Sequence, residues 1–368
     1  MRVSSPLKAE TRRTDTVFDA NALMLGFARR FATYKPPNLL LHDPDRLVRI
    51  LCDTKRPVQL IIAGKAHPQD LPGQALIGQW HTFLQRPEVR GRVVFLSDYD
   101  MLLAQELVQG VDLWINTPRR PWEACGTSGM KVLVNGGLNL SELDGWWAEA
   151  YSPEVGWAIG DGKEHGDDPA WDDVEAESLY SLLEREVVPE FYERDEKGMP
   201  AKWLGRIRES MARLTPEFSA SRAIREYTEN HYLPAASDYR ERADDDSKLG
   251  ASLIQWRQDI ARHWNTVRFG KLEVETQAGQ YVFLVRVFPG DLSPQQIEVE
   301  LYADPVRKGT PAFVAMTASN TIVDSGGTIV YSAQVPASRP AGDYTPRIRP
   351  FHPDVAVPLE VSQILWQR

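Results

Sequence analysis

The feature that most constrains the fold is the alternation of short apolar runs with longer amphipathic stretches from residue 16 to about residue 231. Each apolar run has the length of a buried strand and is followed by a loop rich in Gly, Pro or charge. The runs are Leu23–Ala28, Val58–Ala63, Val93–Leu96 and Leu113–Asn116. Helical candidates such as 45–52 and 101–108 lie between them. This order predicts an α/β fold, a doubly wound parallel sheet with helices on both faces.

The pattern changes in the second half of the chain. Helical periodicity occurs over 175–186, 204–214 and 219–230. An acidic run at 244–247 then precedes an apolar stripe containing Leu253, Trp256 and Ile260, and we interpret that run as helix-capping charge and solvated linker.

After Phe269, short apolar runs separated by Pro and Gly predict a small all-β sandwich. Aromatic side chains in such strands more often fill a core than form a sugar-binding surface.

These patterns divide the chain into four parts. We predict a tail at 1–15, an α/β cofactor- and phosphate-binding domain at 16–240, a helical connector at 241–268 and a β-sandwich domain at 269–368. In an open α/β sheet, ligands bind at the carboxyl ends of the strands. We therefore look for functional residues in the loops that follow the strands.

Composition and charge argue against several classes of protein. Fifty-one acidic against 42 basic residues give a net charge of -9, so nucleic acid is not an expected partner. No apolar run approaches the roughly 18 residues of a membrane span, and residues 1–15 do not read as a secretory signal. Two cysteines cannot form a disulfide framework and suit a reducing compartment. We expect a cytoplasmic protein, and we predict no metal site.

The first candidate segment follows the first strand directly. Arg29, Arg30 and Lys35 place three permanent cations within seven residues of an otherwise acidic chain. A guanidinium matches phosphate oxygens with a planar fork, and an ammonium supplies a point charge. A solvated surface turn would show the same composition. Pro36 and Pro37 stiffen the exit from the loop, which favours a fixed anion site.

The second candidate segment follows the strand Leu113–Asn116 and is the run Glu123-Ala124-Cys125-Gly126-Thr127-Ser128-Gly129-Met130-Lys131. Its two glycines let backbone amides approach a ligand, and its two hydroxyls add donors. A helix that starts here would direct its positive end at an anion. Lys131 lies about one turn inside that helix and could form an imine with an aldehyde cofactor. An ordinary turn with a solvated lysine would have the same composition.

The whole run resembles the pyridoxal phosphate attachment segment of the α-glucan phosphorylases, the family of glycogen, starch and maltodextrin phosphorylases. The segment from Arg30 to Lys35 resembles the phosphate-binding loop of that family. Further matching segments are Gly64-Lys65-Ala66, Phe95-Leu96 with Tyr99, Asn135-Gly136, Leu143-Asp144-Gly145, and Phe218-Ser219 with Arg222 and Tyr227. The resemblance covers about 18–233 and implies the second domain of a GT-B type glycosyltransferase. Trp146-Trp147 and the closing Ile364-Leu365-Trp366-Gln367-Arg368 resemble the bacterial branch with an extra C-terminal β domain.

The resemblance assigns a role to each matching residue. The implied catalytic residues are Lys131, Arg30 and Lys35, with Lys131 holding pyridoxal 5'-phosphate as a Schiff base and the other two binding the substrate phosphate. The further cofactor-binding residues are Thr127, Ser128, Arg29 and Tyr99. The implied substrate-binding residues, which meet hydroxyls of the glucosyl unit, are Glu123, Cys125, Gly126 and Tyr34. Two positions depart from the family pattern, since Cys125 replaces a common Ser and Asp100 replaces a common Arg.

The implied activity is that of a hexosyltransferase, which transfers a terminal glucosyl unit of an α-1,4-glucan to inorganic phosphate and forms glucose 1-phosphate. The resemblance begins in the middle of the family's chain, so we expect the amino-terminal catalytic half to be a separate partner, or a homo-oligomer to form. Two alternatives stay open. One is a non-catalytic binding or scaffold module that keeps the fold. The other is a nucleotide-sugar glycosyltransferase, which would have no use for an imine-forming lysine.

Overall fold

A computed structural model of the chain describes residues 18–32, 38–97, 99–306, 310–322 and 327–367. The chain forms two compact units, one ending at Arg225 and the other beginning at Glu226. None of the described helices combines the length and the apolar composition that crossing a membrane requires.

The first unit is built on a six-stranded parallel sheet with the strand order β3-β2-β1-β4-β5-β6. Its strands are β1 (Leu23–Ala28), β2 (Val58–Ala63), β3 (Val93–Leu96), β4 (Leu113–Asn116), β5 (Leu138–Glu142) and β6 (Gly156–Ile159). The first four are the strands predicted from the sequence. β5 and β6 were not among them, and β5 shows why, since its sequence LNLSE is rich in polar residues although all five are buried.

Helices alternate with the strands and continue after the last of them. They are α1 (Pro44–Leu51), α2 (Leu71–Leu84), α3 (Met101–Gly110), α4 (Thr127–Val134), α5 (Gly145–Ala150), α6 (Pro169–Leu182), α7 (Val188–Tyr192), α8 (Ala201–Glu217) and α9 (Ala220–Tyr227). Several begin at an aspartate whose carboxylate accepts a backbone N–H of the first turn: Asp43 for α1, Asp70 for α2, Asp100 for α3 and Asp168 for α6. This capping satisfies donors that the helix itself cannot pair.

The alternation along β1 shows how the two faces are filled. Leu23, Leu25 and Phe27 pack into the larger apolar cluster. Met24 and Ala28 point the other way, into a smaller cluster that includes side chains of α3 and α4. Successive strand residues face opposite sides, so a strand apolar at nearly every position must be covered on both. The predicted doubly wound α/β class is therefore confirmed.

The second unit opens with a long helix, α10 (Leu233–His263), whose backbone leaves helical geometry from Asp244 to Ser247. The acidic run thus separates two helical segments, and the second buries Leu253, Trp256 and Ile260 as the apolar stripe indicated. The sequence-based boundary at residue 240 lies inside α10. All of this helix belongs to the second compact unit.

The rest of the second unit is antiparallel β structure, as predicted. Its strands are β7 (Arg268–Gln277), β8 (Gln280–Phe288), β9 (Ile297–Ala303), β10 (Ala312–Ala315), β11 (Thr317–Ile322), β12 (Ile329–Pro336), β13 (Tyr344–Pro350) and β14 (Leu365–Trp366). They form two four-stranded sheets, with the orders β10-β9-β13-β14 and β11-β12-β8-β7. Val285 and Val287 of one sheet share a core with Val299, Leu301 and Ile348 of the other.

Candidate functional site

The described part of the first candidate segment and all of the second lie at the carboxyl edge of the parallel sheet, where the strand order reverses. β1 and β4 are hydrogen-bonded neighbours, with Gly26 paired to Trp114. The sheet continues through β2 and β3 on one side and through β5 and β6 on the other. The loops after β1 and β4 therefore diverge at a topological switch point, which is where open α/β sheets bind ligands.

An ion pair joins these two loops directly. Nη2 of Arg29 lies 3.1 Å from Oε2 of Glu123, and the two side chains are only 8% and 13% exposed. A charge-assisted contact in this partly desolvated position is stronger than a surface pair. The two predicted segments therefore meet at one place, and Arg29 and Glu123 lie at their junction.

The loop after β1 is anchored to the neighbouring strand. The N–H of Arg29 donates to the carbonyl of Ala63, and the N–H of Phe31 donates to the carbonyl of Lys65. Gly64 permits this approach, because a Cβ there would lie 2.2 Å from the carbonyl oxygen of Arg29. Arg30 follows Arg29 and is exposed. Tyr34 and Lys35, the other predicted residues of this loop, lie outside the described residues.

The second segment starts a helix where the sequence predicted one. Gly126 precedes α4 with a φ of 87°, and Thr127 and Ser128 are the first two residues of that helix. The first N–H groups of a helix have no acceptor within it, and they carry its positive dipole end. Thr127 is exposed and Ser128 is half-buried, so hydroxyls and backbone donors share this end of α4. Cys125, just before, is an exposed free thiol.

Lys131 lies one turn into α4, as predicted. Its side chain is exposed, and it makes no ion pair within the part of the chain that the structure describes. An amine without a carboxylate partner keeps its capacity to bond covalently once it loses its proton. The structure therefore brings Lys131, the helix start and the Arg29–Glu123 pair to the same edge of the sheet.

Asp144 holds the second loop in place, a role that the sequence did not reveal. Its Oδ2 accepts the N–H of Glu123 at 2.8 Å, and its Oδ1 accepts the N–H of Gly145 at 2.9 Å. The N–H of Trp146 also donates to the carbonyl of Cys125 at 2.8 Å. Asp144 is only 6% exposed. The sequence identifies Leu143-Asp144-Gly145 only as a segment that matches the family. The contact of Asp144 with Glu123 forms only when the chain is folded.

Replacing Asp144 with alanine is expected to lower the free energy of unfolding by about 1 to 3 kcal/mol, because two backbone donors lose a buried acceptor. Urea unfolding followed by circular dichroism measures the change. Asp144→Asn, which keeps one carbonyl acceptor, should lose less. Asp167→Ala removes a carboxylate that is 97% exposed and serves as the control. Equal urea midpoints for D144A and D167A would show that Asp144 does not brace the loop.

Tyr99 and Asp100 lie between β3 and α3, directly before the helix. Tyr99 packs against the apolar cluster that contains Trp114 and Val132, and its burial raises the pKa of its hydroxyl. Asp100 caps α3, with Oδ1 accepting the N–H of Leu103 at 2.8 Å. The departure from arginine at this position thus gives a helix cap.

A pair of buried acids at the end of β5 was also missed by the sequence reasoning. Glu142 ends β5 and is 2% exposed, and Glu175 of α6 is 6% exposed. Burial, together with the nearby Glu175, raises the pKa of Glu142 to about 9. Burial also raises the pKa of Glu175. At neutral pH the carboxyl group of Glu142 is therefore protonated, and its O–H can donate a hydrogen bond to Glu175. No local pattern in the sequence signals this pairing.

Comparison with known proteins agrees with the class that the fold and the site define. The family model for carbohydrate phosphorylases matches residues 28–156, and the model for the glycogen phosphorylase C-terminal domain matches residues 264–368. The chain belongs to the α-glucan phosphorylase family.

The similar curated proteins have the same family names. The glycogen phosphorylase of Mycobacterium tuberculosis is 41% identical over 95% of this chain and 42% of its own length. The maltodextrin phosphorylase of Thermococcus litoralis is 35% identical over 95% of this chain and 42% of its own length. The glycogen phosphorylase of Aquifex aeolicus is 48% identical over 58% of this chain and 30% of its own length. The chain thus spans less than half the length of these relatives.

Among solved structures, the Anabaena protein HepE in complex with UDP aligns with 60% of this chain and 51% of its own. The TM-score is 0.43 and the sequence identity is 18%. This likeness is too distant to assign a function.

Proposed function

We propose that the chain is the carboxyl-terminal part of an α-1,4-glucan phosphorylase, which transfers a terminal glucosyl unit to inorganic phosphate and forms glucose 1-phosphate. The observation that carries the proposal is the Arg29–Glu123 ion pair. It joins the cationic loop to the loop that leads into α4 and Lys131. The proposed phosphate site and the imine-forming amine of Lys131 would then lie on the two sides of this ion pair.

The residues present fit pyridoxal 5'-phosphate as the cofactor. Gly129 lets the start of α4 pack closely on the sheet, because a Cβ there would lie 2.6 Å from Oδ1 of Asn139. Thr127, Ser128 and the helix N–H groups would hold the cofactor phosphate, with Arg29 nearby, and Lys131 would attach the aldehyde. Tyr99 would contribute to the same site. When bound, the cofactor supplies a phosphate that exchanges a proton with the substrate phosphate.

The substrate would be held by the neighbouring residues. Arg30, exposed beside Arg29, and Lys35 would bind inorganic phosphate. Clustered cations favour the charge that accumulates when two phosphates approach each other. A carboxylate offers about four lone-pair sites, so the Glu123 carboxylate would accept a glucosyl hydroxyl in addition to pairing with Arg29. Cys125, Gly126 and Tyr34 would meet other hydroxyls of the sugar.

The remainder of the active site would come from the portion of a phosphorylase that this chain does not span. The chain covers only 42% of the length of two of the relatives above. We propose that an amino-terminal phosphorylase half, or a homo-oligomer, completes the site, and that the assembly works in the cytoplasm. A non-catalytic module or a nucleotide-sugar glycosyltransferase would retain the sheet without requiring Lys131.

Two measurements test this function. The purified chain is incubated with pyridoxal phosphate and reduced with borohydride, and the labelled residue is located by mass spectrometry. Release of glucose 1-phosphate from maltodextrin is then measured with and without a separately expressed amino-terminal half. Label on Lys131 and phosphate-dependent release support the proposal. A chain with no label and no release, even with the added half, would favour one of the alternatives.

Replacing Arg30 with alanine is expected to weaken phosphate binding about 10- to 100-fold, because a charge-assisted contact contributes about 1.5 to 3 kcal/mol. The measurement is the phosphate KM of the reconstituted enzyme. Arg90→Ala removes an exposed arginine that precedes β3, at the opposite edge of the sheet, and is the matched control. An unchanged phosphate KM in R30A would remove Arg30 from the proposed site.

A further inference from the structure

The outer face of the sheet β10-β9-β13-β14 carries three aromatic side chains that are not part of the β-sandwich core. They are Phe313 on β10, Tyr302 on β9 and Trp366 on β14, here called the aromatic row. Phe313 is 55% exposed and Trp366 is 39% exposed. The core between the two sheets is filled by other residues, and none of the three belongs to it.

Strand register places the row on one face. Phe313 pairs with Tyr302 across β10 and β9, and Arg347 of β13 pairs with Trp366 across β13 and β14. The Tyr302 ring lies 5.5 Å from the Phe313 ring and 5.3 Å from the Trp366 ring, centroid to centroid. The row is therefore a continuous patch of adjoining rings on one face of the sheet.

Arg347 fixes the three rings around one centre. Its guanidinium carbon lies 5.2 Å from the Tyr302 ring, 4.9 Å from the Phe313 ring and 5.2 Å from the Trp366 ring. Its Nη2 also lies 2.6 Å from Oε1 of Glu300, and its side chain is only 14% exposed. A guanidinium held by three rings and a carboxylate is preorganised, so the rings lose little freedom when a ligand binds.

The charges on this face are balanced. Arg347 and Arg349 pair with Glu300 and Glu298. Such a face offers little net attraction to a polyanion such as nucleic acid. It presents partly exposed aromatic side chains flanked by hydrogen-bonding groups, including the Tyr302 hydroxyl, which lies 2.9 Å from Oδ1 of Asp304. A neutral ligand with C–H faces and many hydroxyls matches this chemistry, because polarised C–H groups contact the negative faces of aromatic rings.

Trp366 also lines a cleft of about 500 Å³ in the same unit, together with Val267, Arg268, Phe269 and the residues on either side of Trp366.

We propose that the aromatic row is a binding site for an α-glucan chain, separate from the site at Lys131. The ligand class rests on the proposed phosphorylase function, because that function makes an α-glucan the substrate. The row would hold the polymer on the protein while the other site acts on a chain end.

Affinity electrophoresis of the full chain in gels containing glycogen tests this site. We expect glycogen to retard the wild-type chain, and Phe313→Ala and Trp366→Ala each to weaken binding about tenfold or more. Phe313→Tyr, which keeps an aromatic face, should bind within about twofold of wild type. Phe351→Ala is the matched control, since Phe351 is 41% exposed in the same unit and lies outside the row. Circular dichroism melting verifies that each variant is folded.

The outcomes separate this proposal from the phosphorylase function. Lys131→Ala should lose the cofactor and still bind glycogen as wild type does. If cofactor attachment at Lys131 is refuted, glycogen binding at the aromatic row is therefore not affected. The proposal is overturned if wild type is not retarded, or if folded F313A and W366A are retarded as strongly as wild type. Stronger retardation by a soluble β-glucan would overturn the assignment of an α-glucan. A dimer that F313A converts to a monomer would show that the face binds a second copy instead.

Discussion

Replacing Lys131 with alanine is expected to abolish covalent retention of pyridoxal phosphate by this chain. Lys131 is exposed one turn into α4, at the carboxyl edge of the sheet and close in sequence to the helix start that would hold the phosphate. Without its amine no imine can form, and the helix start alone would bind the cofactor only reversibly. After borohydride reduction and gel filtration, the wild-type chain should carry label and K131A should carry none.

The control must separate Lys131 from ordinary surface lysines, because pyridoxal phosphate reacts with many of them at high concentration. Lys163→Ala removes a lysine whose side chain is 78% exposed in the same unit, and it should label as wild type does. Lys131→Arg keeps the charge but cannot form the bond, and it should behave as K131A does. Undiminished label in K131A, on any other residue, would refute the assignment of the cofactor to this helix.

Replacing Glu142 with glutamine is expected to stabilise the protein increasingly as the pH rises from about 5 to about 9. The pKa of Glu142 is raised from its ordinary 4.5 to about 9, first by burial and then by Glu175. Between those values the folded protein holds a proton that the unfolded chain has released. The free energy of unfolding therefore falls as the pH rises through this window, and the loss is complete only above the folded pKa.

Glutamine keeps a donor that can face Glu175 and does not titrate, so E142Q should lack most of this loss. Each unit of pKa difference corresponds to about 1.4 kcal/mol, so the two proteins should diverge by up to about 4 kcal/mol between pH 5 and pH 8. The nearby charged groups that also act on the pair, Asp144, Asp172 and Arg119, are present in both proteins. Their direct contributions largely cancel in the difference.

Urea unfolding at a series of pH values measures the divergence. Glu149→Gln alters an exposed glutamate on the neighbouring helix α5 and should follow wild type at every pH. Glu175→Gln removes the other member of the pair, and it should lower the pKa of Glu142 and reduce the slope. Parallel curves for wild type and E142Q would show that Glu142 is already ionised in the folded protein.

Much of the α/β unit could be predicted because its signals are local. Four strands of the parallel sheet were read directly from apolar runs, and the helix at Lys131 from a Gly-Thr-Ser-Gly start. These signals depend on periodicity and on residues close to one another in the chain. The position of both loops at one edge of the sheet also follows from the sequence, because carboxyl ends of parallel strands share an edge once the sheet is assumed.

Contacts between distant residues could not be predicted in this way. β5 escaped notice because its buried Asn139, Ser141 and Glu142 are polar, and only their neighbours in the fold make that burial tolerable. The brace from Asp144 to Glu123 joins residues 21 positions apart, and the pair of Glu142 and Glu175 joins residues on different elements. The aromatic row was expected to belong to the core. Register places it outside, because a shift of one residue exchanges the two faces of a strand.

Chain-local chemistry was therefore enough to predict the fold class and the family resemblance, and it is the basis on which the cofactor-binding residues are proposed. The pairing of Arg29 with Glu123, the raised pKa of Glu142 and the face on which Tyr302, Phe313 and Trp366 lie depend on the packing of elements that are far apart in the chain. Burial, ion pairing and strand register depend on contacts between residues that are far apart in the chain. Local periodicity does not indicate which of those residues become neighbours.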